Sequence, residues 1–278
     1  MANREAAAAE RGLLLDKALK KAEDILNQCR IDPVEFEGLY DPALLNRHKE
    51  EVERAFARFE AQSQREGSNE GKVVGTILEA ILLDQGEMAN WLGENAYTQK
   101  TADYDDLNGT DMIVEYEAEG TYAHLGLGVD VTSNTDLGTK FKRVQGDVDS
   151  HNLATIYYFK SDAMSIKGRK DFVPRVIIGV EAATVYELME LWLRNDTESL
   201  VKHPIQATLL KEIELQLEAS LRCLPGTAIE ARKAVEADLA LIKDILKKKE
   251  KAGLGEVMES DEVYLAIQSF ARALKPAI

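Results

Sequence analysis

Three carboxylates, Glu79, Asp111 and Asp130, sit in settings that point to metal-ion chemistry. Glu79 is the only charge in the apolar stretch Val73 to Leu83, Asp111 opens a run of alternating residues, and Asp130 lies near the end of the next such run. Acids at the start of one hairpin strand and near the end of its partner approach each other across the ladder. Carboxylates converging at a sheet end suit Mg²⁺ or Mn²⁺, hard ions that prefer oxygen ligands, activate water and stabilise charge on a phosphodiester. Gly126 and Gly128 leave the Asp130 side of its strand bare, so that another element or a nucleic-acid backbone can come close.

The elements that position these acids follow from periodicity. Leu15, Ala18, Leu19, Ala22, Ile25, Leu26 and Cys29 form one helical stripe that ends before Asp32 and Pro33. Asp41 and Pro42 open a second helix, running to about Gly67, with Leu45, Val52, Phe56 and Phe59 along a charged surface. A third helix, from about Asn69 to Trp91, is apolar around most of its girth and is expected to be buried on several sides. A polar connection holding Tyr104, Asp105, Asp106, Asn108 and Gly109 follows. Period-two alternation then begins: Met112, Val114 and Tyr116 on one side, and Leu125, Leu127, Val129 and Val131 after a Glu-Gly-Thr turn, make an antiparallel hairpin. A helix near Thr139 to Val148, a β-rich run Thr155 to Phe159 and a strand Val176 to Val180 come next. The last of these has no polar side chain and is expected in the covered middle of a sheet. Helices fill the remainder, at about Glu181 to Arg194, Pro204 to Leu224, Thr227 to Lys249 and Asp261 to Leu274.

This arrangement resembles the PD-(D/E)XK nuclease superfamily, in which a helix Glu, a strand Asp and a second strand with an acid-x-Lys pair form the metal site. The matching pieces are Glu79 in Ile-Leu-Glu-Ala, Asp111 in Asn-Gly-Thr-Asp and Asp130 in Gly-Val-Asp-Val-Thr, and the resemblance covers Lys72 to Lys160. It implies an α/β fold, α+β-like, with a restriction-endonuclease-like mixed central sheet flanked by helices. It also implies Mg²⁺ or Mn²⁺ held by Glu79, Asp111 and Asp130. The family's lysine position is Thr132 here, and Thr cannot supply a positive charge. Some members carry that lysine on a neighbouring helix, which makes Lys140 the expected electrostatic partner, with Lys142, Arg143 and the more distant Lys160 behind it. Taken singly, each acid also has an ordinary role: Glu79 at a packing gap, Asp111 capping the turn after Gly109, Asp130 paired with a nearby base.

With 278 residues, 45% hydrophobic and 30% charged, the chain fits a globular core with large helical additions. We divide it into an N-terminal helical extension (1–67), the α/β core (68–200) and a C-terminal helical region (201–278). No signal-like leader and no stretch long enough for a bilayer occurs, and Cys29 and Cys223 are far apart, so a cytoplasmic setting is expected. The net charge of −15 argues against indiscriminate nucleic-acid binding, yet Gly138 to Arg175 holds eight bases against four acids. Such a patch guides a polyanion, and a solvated face gives the same count. His48, His124, His151 and His203 show no metal or triad spacing and are expected at surfaces or helix ends. The Lys247 to Lys251 run compensates a helix dipole. Two functions are compatible with this pattern. One is a metal-dependent nuclease-like phosphodiesterase acting on DNA or RNA. The other is a catalytically inactive protein of the same fold, serving as a protein-interaction scaffold or a homodimer through its terminal helices.

Overall fold

The computed structural model describes the backbone of residues 2–66, 70–118, 121–130 and 137–276, and the side chains within them other than those of 2–10, 62–66, 118, 121 and 128–130. Helix α1 (Ala2–Cys29) buries Ala18, Ala22 and Leu26. Past its end, the Asp32 carboxylate accepts the Val34 N–H at 2.9 Å and starts a 3-10 turn at Pro33–Phe36. Helix α2 (Pro42–Glu66) opens as its Asp-Pro start predicts, with Asp41 accepting the Ala43 N–H at 2.7 Å. Helix α3 (Glu70–Met88) is the buried one: Ile77, Leu78 and Ile81 are fully enclosed. Each such side chain contributes roughly 1.5–3 kcal/mol by leaving water.

Strand β1 (Ala96–Lys100), helix α4 (Asp103–Leu107), strand β2 (Met112–Ala118) and strand β3 (Thr121–Asp130) follow. The polar connection expected from sequence therefore contains a short helix and is preceded by a strand. Helix α5 (Leu137–Ser150) leads to a hairpin of β4 (Ala154–Ser161) and β5 (Ile166–Val173), and then to β6 (Arg175–Gly179). The central sheet is mixed and runs β1-β2-β3-β6, with β1 to β3 antiparallel and β6 parallel to β3. The β4-β5 hairpin is a separate two-stranded sheet. Register sets Met112 against Leu127 and Val114 against Leu125, so these residues share the face that packs with α3 in the main core. Ile113, on the other face, clusters with Ile156, Phe159 and Val173 of the hairpin.

Strand β6 corrects the expectation that an all-apolar strand sits mid-sheet. It is the last strand of the sheet, and its outer edge is covered by side chains of a helix instead of by another strand. After α6 (Ala182–Leu193) and α7 (Thr197–Lys202), helix α8 (Ile205–Cys223) places Glu212 and Gln216 along that edge. Gln216 accepts the Ile177 N–H at 2.9 Å and donates to the Ile177 carbonyl at 2.6 Å, while Glu212 accepts the Gly179 N–H at 3.0 Å. Two polar residues one turn apart thus stand in for a strand, and apolar side chains on both faces remain buried. Helices α9 (Ile229–Lys251) and α10 (Glu262–Ala273) complete the chain. One apolar cluster runs from Ala18 in α1 through α3, the sheet and α6 to α8, α9 and Leu274, so the stripes of α1, α8 and α9 are buried within the chain, whereas Phe56 and Phe59 of α2 are exposed. No helix among the described residues is long and apolar enough to cross a membrane.

Candidate functional site

Glu79 projects from α3 toward the end of β1, where Lys100 closes the strand. The Lys100 Nζ lies 2.5 Å from Glu79 Oε1 and also pairs with Asp106 of α4. Lys100 is only 2% exposed. Burial alone would pull its ammonium down, but Asp106, Glu79 and Asp111 together hold it above its ordinary value. Lys100 faces Glu79 for a register reason: it is paired with Met112, whose side chain points to the α3 side of the sheet. Burial raises the Glu79 carboxyl, and Lys100 opposes the rise.

Asp111 is fixed by its backbone just before β2. Its N–H donates to Leu127 O at 2.8 Å, and its carbonyl accepts from the Thr101 N–H at 3.3 Å and the Thr101 hydroxyl at 3.1 Å. The carboxylate is 15% exposed, and Lys140 of α5 reaches to 3.9 Å from it. Burial pushes Asp111 up to about 7; Asp106 and Glu79 push the same way, against Lys140 and Lys100. Helix α4 is itself pinned, since Asp105 accepts the N–H groups of Tyr157 and Tyr158 at 2.8 and 2.9 Å and thereby holds Asp106 beside Lys100. Burial raises Asp105 to about 6.

The structure therefore brings Glu79, Asp111 and Lys140 into one electrostatic neighbourhood and adds two residues absent from the sequence-based set, Lys100 and Asp106. Asp130 is the last residue of β3, and its backbone pairs with Gly179. Its side chain, and all of Thr132, lie outside the described residues. Arg143 donates to the Leu107 carbonyl at 3.1 Å and lies against Gly109, whose φ of +89° suits glycine. Lys160 is elsewhere, paired with Glu35 at 3.2 Å. Much of the basic stretch is likewise engaged: Lys167 with Glu35, Arg169 with Asp171, and Arg175 with Asp147. At Gly126 the bare face is taken by the chain itself, because a Cβ there would meet Thr110 at 3.0 Å and the Pro174 carbonyl at 3.6 Å.

His48 and His124 depart from the expected surface or helix-end placement, while His203 lies at a helix end as expected but is buried. His48 is buried against Tyr104 with its Nδ1 2.9 Å from the Tyr158 hydroxyl, His124 is buried 2.9 Å from Glu115, and His203 is buried at the start of α8, accepting the Ile205 N–H. Each fills an aromatic or polar niche in the packing. As to a metal ion, the carboxylates of Glu79 and Asp111 have the donor chemistry of a hard divalent cation, and the mutual repulsion on Asp111 is what such an ion relieves. Among the described residues no three His, Cys, Asp or Glu side chains come together as a ligand set, Glu79, Asp106 and Asp111 included.

Pattern does not set Lys100 apart because β1, Ala-Tyr-Thr-Gln-Lys, is short and half polar, and its lysine reads as a solvated strand end, while Asp106 reads as one acid among several in a polar connection. The one available signal was the density of acids just after it, at Asp103, Asp105 and Asp106. No family model, no curated protein and no solved structure matches this chain.

Proposed function

We propose that this protein is a metal-dependent phosphodiesterase acting on DNA or RNA, built on a restriction-endonuclease-like core. The observation that carries it is the placing of Asp111: a carboxylate fixed at the mouth of β2 with Lys140 at 3.9 Å, raised to about 7 chiefly by burial, with Asp106 and Glu79 adding to the rise. Acids held close enough to oppose each other's ionisation form a site that gains from a divalent cation. Glu79, Asp111 and Asp130 would hold Mg²⁺ or Mn²⁺, which supplies an activated water and charge stabilisation at phosphorus. Lys140, on the first turns of α5 beside Asp111, places an ammonium toward the negative charge of the phosphodiester. Lys100 anchors Glu79 and Asp106 so that neither carboxylate swings away.

One observation favours the second reading, an inactive protein of this fold that acts as a scaffold or homodimer. Lys100 already compensates two of the acids without any ion. The two readings separate on metal binding. Mn²⁺ titrated calorimetrically into the chelator-treated protein is expected to bind saturably, and Asp111→Asn to weaken it by at least about tenfold, a loss of ~1.4 kcal/mol. No saturable binding, or binding indifferent to Asp111→Asn, selects the scaffold.

A further inference from the structure

Beside the carboxylate cluster, α2 and α4 enclose a groove of about 420 Å³. Arg54, Arg58 and Phe59 line it from α2, and Tyr104, Leu107 and Asn108 line it from α4. Asn108 stands three residues before Asp111, so its backbone lies within about 11 Å of the Asp111 backbone. Helix α4 also carries Asp106 of the cluster, and one short helix thus borders both the groove and the acids.

The lining combines cations with aromatic rings. Arg58 donates its Nε–H to the Arg54 carbonyl at 3.2 Å and has no ion pair among the described residues, so the end of its guanidinium is open to a partner. Arg54 reaches Glu50 only at 3.8 Å, with both side chains more than 60% exposed, and a loose, hydrated pair of that kind competes weakly with a new anion. Glu51 is the one acid of the lining, against the two arginines. Phe59 is 49% exposed. On the other wall Tyr104 is already fixed, one face stacked on His48 with 3.6 Å between ring centroids. A preset wall, an open aromatic face and two guanidinium groups suit a strand whose bases are unstacked and whose phosphates recur along it. A duplex keeps its base faces within its own stack, where Phe59 cannot reach them. The net charge of −15 repels a polyanion from most of the surface, which confines such a strand to this groove.

We propose that the α2–α4 groove binds single-stranded nucleic acid, with Phe59 stacking on a base and Arg54 and Arg58 holding the adjacent phosphates, and leads the strand toward Asp111. The proposal rests on the phosphodiesterase reading for its class of substrate and narrows that class to unpaired strands. Binding itself needs neither a metal ion nor cleavage.

The test is fluorescence anisotropy of a fluorescein-labelled deoxythymidylate oligomer titrated with the full chain in chelator, with a blunt duplex and inorganic polyphosphate as competitors. Saturable binding that weakens as salt rises is expected, with the duplex and the polyphosphate at least about tenfold weaker. Arg58→Glu is expected to weaken the oligomer at least about tenfold, and Phe59→Ala at least about fivefold, the size of one base–aromatic stack. Both positions face solvent, so the variants keep the fold. Lys233→Glu, the same charge reversal at an exposed position of α9, is expected to leave the affinity unchanged. No saturable binding, equal binding of the duplex or the polyphosphate, or full affinity in either groove variant overturns the proposal. Metal-dependent cleavage that Arg58→Glu and Phe59→Ala leave intact would keep the phosphodiesterase and remove the groove. Metal-free binding that both variants lose, with no cleavage under Mg²⁺ or Mn²⁺, would keep the groove and remove the phosphodiesterase.

Discussion

Asp111 makes the chemistry of the site measurable without substrate. Its carboxyl rises from the ordinary aspartate value to about 7, so between about pH 4 and pH 7 the folded chain binds more protons than the unfolded one. The stability this provides is complete below about pH 4 and is lost as pH climbs through 7. In chelator, the native protein should therefore lose stability relative to Asp111→Asn across that window, by something on the order of 1–4 kcal/mol. Urea melts of both proteins at pH 4.5 and pH 8 check it, and parallel pH slopes would count against the assignment. Lys100 presents the converse case. Replacing it with Met leaves Glu79 and Asp106 without their cation, and breaking a buried pair in this way costs roughly 3–5 kcal/mol. Adding Glu79→Gln to Lys100→Met should restore a large part of that loss, and a double-mutant cycle measures how much. A Lys100→Met variant as stable as the native chain would mean that the triad does not hold α3, β1 and α4 together.

At the scale of elements, the edge of β6 is the feature most exposed to test. Gln216 both accepts from and donates to Ile177, so Gln216→Leu strands two buried backbone groups and should destabilise by about 2–4 kcal/mol. Gln216→Glu keeps only the acceptor and should fall between the two in denaturant melts. This edge also shows where sequence patterning ends. The hairpin of β2 and β3 and the buried α3 were legible, because period-two and all-round apolar patterns each report one local environment. An apolar strand reports only that both its faces are covered; whether its edge is covered by a strand or by the side chains of a helix nearly forty residues later is a tertiary fact. Strand β1 was hidden for the opposite reason, since its burial is confined to Ala96 and Lys100 and the latter is charged. Glu79 and Asp111 were legible because an acid in an apolar run, or at a strand mouth, is locally unusual. Lys100 becomes unusual only once the register puts it under α3.

For the whole molecule, the shared core is decisive. Ala18 of α1, Ile81 of α3, Leu125 of β3 and Ile213 of α8 all belong to one apolar cluster, so helices at both ends of the chain bury surface that the central sheet needs covered. Residues 68–200 expressed alone should accordingly fail to give a cooperative thermal transition, whereas the full chain should melt in one step. A sharp transition for that fragment by circular dichroism would show the terminal helices to be additions to a self-sufficient core. The site sits where α3, β1, α4, β2 and α5 meet, inside this single packing unit, and its geometry is therefore carried by the entire fold. The measurement that bears most directly on its purpose is cleavage of labelled single-stranded DNA, duplex DNA and RNA under Mg²⁺ or Mn²⁺ titration, comparing the native chain with Asp130→Ala. A metal-dependent phosphodiesterase predicts cleavage of at least one substrate that requires the ion and disappears in the variant. No metal-dependent cleavage, or cleavage that Asp130→Ala leaves intact, would contradict the assignment.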